Sequence, residues 1–216
     1  MSKYVVVDLE MCKVPKHYRT EEYHWGNETI QIGAVLVDDS LEIMDKFMTY
    51  VCPEHGVIDF YIESLTGIRK ADVQNAPKMK EALEMFSSWI PEDAILVSWS
   101  ENDELQIRRE MQGKDIQNEK LNTLLDNGED CQVTFSNKMD TDKKYRLEEA
   151  LIITDIDYDV NIHDALVDAY NTALLFVKTL KEDKLQMSKY YLEEKECEQG
   201  YTPFGELFKG LQLGVA

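Results

Sequence analysis

The residues able to do chemistry fall into three groups. The first is Val5-Val6-Val7-Asp8-Leu9-Glu10, an apolar run that ends in two carboxylates. Side chains alternate across a strand, so Val6, Asp8 and Glu10 share one face, with the α-carbons of Asp8 and Glu10 roughly 6–7 Å apart. Two like charges so placed are costly unless something positive lies between them. No lysine or arginine is adjacent. Hard divalent cations, Mg²⁺ or Mn²⁺, prefer such oxygen ligands. A strand that frays into water at Asp8 also accounts for the pair. The second group follows the short apolar run 94–98, where a helix begins near Ser100 or Glu101 and Asp103 falls in its first turn. Ser100-x-x-Asp103 reads as a capping box that occupies Asp103 locally. An acid just past a buried strand is equally where α/β sheets place functional groups.

The third group is Asn161-Ile162-His163-Asp164-Ala165-Leu166-Val167-Asp168. Ala165, Asp168, Ala169, Thr172, Ala173 and Phe176 repeat at helical spacing and form one small, mostly apolar stripe. A solvated charge does not belong there, so Asp168 is expected to be paired or metal-bound. Asp164 suits a cap and helix-dipole role instead. On one regular helix His163 and Asp168 would point about 140° apart, at about 100° per residue. They converge only if His163 precedes the helix, which a cap at Asn161 allows. Histidine titrates near neutrality and suits general-base work; a structural histidine is the plainer alternative. His17, His24 and His55 fall in expected loops and read as structural.

These groups need elements to hold them. Strands are expected over 3–9, 29–38, 41–50, 94–98 and about 129–133, with 29–50 forming a hairpin through Asp38-Asp39-Ser40. Helices are expected over 77–89, 101–111, 145–152 and 163–182, with a further short helix inside 113–142. A charged helix and a loose tail fill 184–216. An initial hairpin followed by alternating strands and helices implies an α/β fold with a mixed sheet.

Composition sets bounds. The chain has 216 residues, 44% hydrophobic and 30% charged, which suits one domain with or without an appendage. Apolar runs such as 173–177 are too short to span a bilayer. A strand starts almost at once, which leaves no room for a secretory signal, so the expectation is a soluble, cytoplasmic protein without membrane contact. Cys12, Cys52, Cys131 and Cys197 form no closely spaced pair, so neither a zinc site nor a disulfide framework is suggested. The net charge of −19 argues against a general nucleic-acid coat. It leaves room for an enzyme that meets phosphates through bound cations, helped by the local basic cluster Lys143, Lys144 and Arg146.

Taken in order, Asp8-x-Glu10, Asp103 and His163-x(4)-Asp168 resemble the motifs of the DEDDh 3′→5′ exonucleases of the RNase H-like superfamily. His163-Asp164-Ala165-Leu166-Val167-Asp168-Ala169 is similar to that family's His-x-Ala-x-x-Asp-Ala. The segments DLEMC, FMTYVCP and LTGI look like those of the Eri-type, histone-mRNA 3′-exonuclease-like branch and of bacterial KapD-type proteins. The resemblance covers about residues 3–180. One departure is Trp99-Ser100-Glu101-Asn102-Asp103, where the branch often has Trp-Gly-x-x-Asp; the segment 113–142 is also longer than usual.

The resemblance implies an RNase H-like exonuclease domain over 1–183, with a mixed five-stranded sheet flanked by helices, and a helical extension over 184–216 packed on it. It implies metal-dependent hydrolysis from the 3′ end of single-stranded nucleic acid, RNA favoured over DNA, releasing nucleoside 5′-monophosphates. By the same resemblance Asp8 bridges two divalent ions, Mg²⁺ or Mn²⁺. Glu10 and Asp168 hold one, Asp103 holds the other, and His163 is the general base. Met11 and Cys12 lie where the terminal nucleotide would be expected. Trp99, Lys143, Lys144 and Arg146 join them as substrate-binding candidates, while no protein partner is indicated. Three rivals remain at this point: a 3′→5′ exodeoxyribonuclease, a non-catalytic nucleic-acid-binding module on the same fold, and an acidic interaction protein whose carboxylates are simply solvated.

Overall fold

The computed structural model describes residues 3–189, 191 and 192. The sheet forms from β1 (Lys3–Lys13), β2 (Asn27–Val37), β3 (Ile43–Tyr50), β4 (Ala94–Ser98) and β5 (Glu129–Asp130), in the order β3-β2-β1-β4-β5. The pairs β3/β2 and β2/β1 are antiparallel, whereas β1/β4 and β4/β5 are parallel. β1 is central because it is apolar without alternation, as a strand covered on both faces must be. Val5, Val7 and Leu9 join the core beneath α3 (Met79–Trp89) and α4 (Glu101–Gly113), with Phe86 and Ile107. Val6 joins the opposite core, where Ala169, Ala173 and Phe176 of α8 (Ala165–Lys181) pack on the sheet.

The remaining helices are α1 (Phe60–Thr66), α2 (Lys70–Val73), α5 (Glu119–Asp126), α6 (Cys131–Lys138) and α7 (Leu147–Ile153). The expected hairpin forms, but its second strand starts at Ile43 rather than 41. Asp38 Oδ1 accepts the N–H groups of Ser40 and Glu42, and this turn holds Leu41 at φ 63°. The expected strand 129–133 is corrected more strongly. Only Glu129 and Asp130 pair with β4. Asp130 then caps α6 by accepting the Val133 N–H at 2.9 Å, so the capping preference of aspartate overrides the strand-like character of Cys131 and Val133.

One buried charge cluster braces the far end of β1 and β2. Lys114 Nζ lies 2.5 Å from Glu28 and 2.8 Å from Glu110. Glu28 also accepts the N–H groups of Glu54, His55 and Gly56. Glu110 Oε1 accepts the Thr29 N–H at 2.6 Å, beside a register shift between Glu10 and Met11. A bulge at this point re-aims the strands where the carboxylates emerge. Leu185 packs into the α8 core, and its N–H donates to the Lys138 carbonyl at 3.2 Å. The expectations for 193–216 lie outside the described residues.

Candidate active site

The carboxylates gather at the carboxyl ends of the parallel strands β1 and β4, where open α/β sheets leave a crevice. Asp8 and Glu10 share a face of β1, opposite Gly33 and Gln31 of β2. Asp103 reaches them from the first turn of α4. Ser100 is the N-cap residue there, but its side chain makes no capping hydrogen bond, so the capping box does not form. Asp103 instead accepts the Leu9 N–H. The β1/β4 ladder stops at Val7 and Ser98, and Asp103 takes the amide two residues beyond its end.

Asp168 comes from the other side. α8 starts at Ala165, capped by Asp164, whose Oδ1 accepts from Leu166 and Val167 at 3.0 and 3.2 Å. Asn161 does not cap the helix; its N–H and side-chain amide donate to Asp159. His163 therefore lies before the helix, in left-handed backbone at φ 68°, a conformation histidine tolerates better than most residues. That turn directs its N–H to Asp168 Oδ2 at 2.9 Å. Donor atoms of Glu10, His163 and Asp168 all lie within 4.8 Å of one another.

Burial makes this cluster unusual. Glu10, Asp103 and Asp168 are 8%, 7% and 9% exposed. Burial chiefly, and then Asp168, Asp103 and Asp164, push Glu10 up to about 8. Burial raises Asp103 to about 7, against the lowering effect of the N–H groups it accepts. Asp8 stands well above the usual carboxylate range, from burial first and then from Asp103, Asp168, Glu10 and Asp164. Asp168 is also raised by burial, while the His163 N–H and imidazole pull it down. Asp168 Oδ1 is buried and has no hydrogen-bond partner among the described residues. A lone buried carboxylate oxygen among other acids fits a hard divalent cation, which would compensate all of them at once. The donor set thus suits the metal expected from the sequence.

A cleft of about 470 Å³ opens beside His163 and Asp168. Trp99, Lys144 and Arg146, three of the candidates, line it. Three other candidates are not brought there. Lys143 is 2.6 Å from Glu149 and sits over the Tyr145 ring. Met11 lies on the opposite face of β1 from Glu10 and packs against the α3 core. Cys12, expected near the terminal nucleotide, is fully buried among Ile30, Ile62, Ile68 and Val73, because α1 and α2 cover this end of β1. Two buried polar residues beside the site escaped the motif reading. Buried Asn171 grips the loop before His163, donating to the Asp159 carbonyl and accepting its N–H. Gln31 contacts Asp164 and Ala165. The legible signal was a polar residue inside an apolar run, as in TIQIGAVLV.

Residues 5–176 match the RNase_T family model, described as exonuclease. The chain is 29% identical over 204 residues to the DNA polymerase III subunit epsilon of Aquifex aeolicus, covering 91% of this chain and 90% of that protein. It is 32% identical over 88 residues to ERI1 exoribonuclease 2 of Homo sapiens, covering 40% of this chain and only 12% of the human protein's length. Among solved structures, it is similar to a 3′-exonuclease that recognises the 3′ end of the histone mRNA stem-loop. The TM-score there is 0.70 at 20% identity, over 86% of this chain and 84% of the other.

Proposed function

The chain belongs to the DEDDh family of 3′→5′ exonucleases, and on that premise we propose that it acts on single-stranded RNA in preference to DNA. The observation that carries the hydrolytic reading is the meeting of Glu10, His163 and Asp168 from strand, loop and helix. Asp8, Glu10, Asp103 and Asp168 would hold two divalent ions, Mg²⁺ or Mn²⁺. Such ions, when bound, supply positive charge to the phosphodiester and lower the pKa of a water.

The chain's own groups do the rest. His163 accepts a proton from the attacking water, whose oxygen bonds to phosphorus as the P–O3′ bond breaks. The released 3′-oxygen takes a proton from solvent, and a nucleoside 5′-monophosphate leaves. The His163 backbone, tied to Asp168, presents the imidazole at the cleft. Lys144 and Arg146 receive backbone phosphates along the cleft wall, where a chain of −19 otherwise repels them.

RNA is favoured by the Eri-type segments and by the exoribonuclease relatives. The Aquifex polymerase subunit favours DNA as the second reading. Matched digestion of 5′-labelled single-stranded RNA, single-stranded DNA and duplexes with Mg²⁺ separates them. Stepwise shortening of RNA faster than DNA is expected. Faster DNA shortening would reverse the substrate, and uncut substrates that nonetheless bind would favour the non-catalytic module.

A further inference from the structure

We infer that Gln31 is a positioning residue of the exonuclease site: its side-chain amide fixes the N-terminus of α8 on the sheet and so sets where His163 and Asp168 stand relative to Asp8 and Glu10. The inference rests on the hydrolytic reading given above. Gln31 is opposite Glu10 in the β1/β2 ladder, on the carboxylate face, and is fully buried. Its Nε2 donates to Asp164 Oδ2 at 3.1 Å, and its Oε1 accepts the Ala165 N–H at 3.0 Å. The Ala165 N–H can only donate, so it takes the amide oxygen and leaves the amide nitrogen to Asp164.

The rest of the junction is as tight. Gly33 lies opposite Asp8, and a Cβ at Gly33 would stand 2.2 Å from the Ala165 carbonyl carbon and from the Leu166 nitrogen. The helix backbone thus rests on the strand backbone directly beside Asp8. Asp164 joins the two systems, since one oxygen caps α8 while the other takes the Gln31 amide. His163 is the residue before this clamp, and Asp168 is one turn after it. Gln31 touches none of the reacting atoms; it acts through Asp164 and Ala165. A neutral amide is required, because a carboxylate of the same shape would face Asp164 with no donor to offer it.

The test compares the full chain with Gln31→Glu, Asp164→Asn and the double variant. In the double variant the hydrogen bond reverses: the new amide at 164 donates to the new carboxylate at 31, which still accepts the Ala165 N–H. The readouts are kcat and KM on single-stranded RNA, Mn²⁺ titration of metal-free protein, and melting temperature. Gln31→Glu should lower kcat and Mn²⁺ affinity by about 10–100-fold, the range reached when hydrogen bonds outside a metal's own ligands are lost. Its KM should stay within about twofold, and the double variant should recover most of both losses. If Gln31→Glu does not fold, Gln31→Ala removes both hydrogen bonds without adding charge and should show the same losses. Either variant with kcat and Mn²⁺ affinity within about twofold of the parent overturns the inference. So does a folded double variant no better than Gln31→Glu. If the parent hydrolyses neither RNA nor DNA, but Gln31→Glu still weakens Mn²⁺ binding and the double variant restores it, the clamp stands and the hydrolytic reading falls.

Discussion

Asp8, proposed as a metal ligand, and His163, proposed as the general base, differ in what their removal should do. Asp8→Ala should cut hydrolysis by more than about 100-fold, since even supporting partners of a ligand cost about 10–100-fold. Substantial Mg²⁺-dependent activity in that variant would remove Asp8 from the site. His163→Ala should slow turnover by about 10²–10⁴-fold, the usual contribution of a general base. Its Mn²⁺ affinity should barely change; a large loss would make His163 a ligand alongside Glu10 and Asp168, within whose reach it lies. The carboxylates also predict a pH response. Glu10 near 8 and Asp103 near 7 stand above their unfolded values of about 4. Their protonated forms favour the fold, so this stabilisation is complete below about pH 4 and is lost as pH rises through 7 to 8. The melting temperature of metal-free protein should fall over that window. Saturating Mn²⁺ should abolish the fall and should bind more tightly as protons leave. A metal-free melting temperature that climbs between pH 6 and 8 would contradict it.

At the scale of elements, the site is the junction of β1, the start of α4 and the start of α8. β1 contributes Asp8 and Glu10 just past the end of its ladder with β4, and α4 and α8 each contribute one carboxylate from the first turn. The cluster of Lys114, Glu28 and Glu110 holds the β1/β2 end beside the bulge, and Lys114 supplies its cation. Lys114→Met should destabilise the fold by about 3–5 kcal/mol, because two buried carboxylates would be left without their cation. Denaturant unfolding measures this directly. A loss under about 1 kcal/mol would mean that the amides donating to Glu28 and Glu110 already suffice. Motif spacing gave α8 its buried stripe, but not its first residue. Asp164 wins the cap over Asn161, and this places His163 outside the helix, where it can meet Asp168.

For the molecule as a whole, the question is how a chain of −19 binds a polyanion. Lys144 and Arg146 face the cleft, while Lys143 is paired with Glu149. Removing the charges of Lys144 and Arg146 together should flatten the salt dependence of single-strand binding by roughly 1.4 in the log–log slope, about 0.7 for each phosphate no longer neutralised. Lys143→Ala should leave the slope as it is. Equal effects from all three would show that the whole cluster meets the backbone. Binding to a catalytically dead variant in 50–200 mM salt, a range over which a slope of about 1.4 changes affinity by about sevenfold, supplies the measurement.

Local rules were enough for much of this protein. Apolar runs and their period placed β1, β4 and α8, and strand alternation put Asp8 and Glu10 on one face. Helical periodicity marked Asp168 as an acid in a packed stripe. These features depend on neighbours in the chain, so one sequence carries them. Other features depend on which segments meet, and only the tertiary structure decided them. Ser100-x-x-Asp103 looks like a capping box until β1 arrives with an unpaired Leu9 amide that Asp103 takes instead. Lys143, Lys144 and Arg146 look alike until Glu149 claims one of them. Cys12 looks adjacent to the carboxylates until α1 and α2 close over it with Ile62 and Val73. The Gln31 side chain meets Asp164 and Ala165, which stand 133 and 134 residues further along the chain. A hydrogen bond is set by distance in space, and that distance exists only after β2 and α8 have packed.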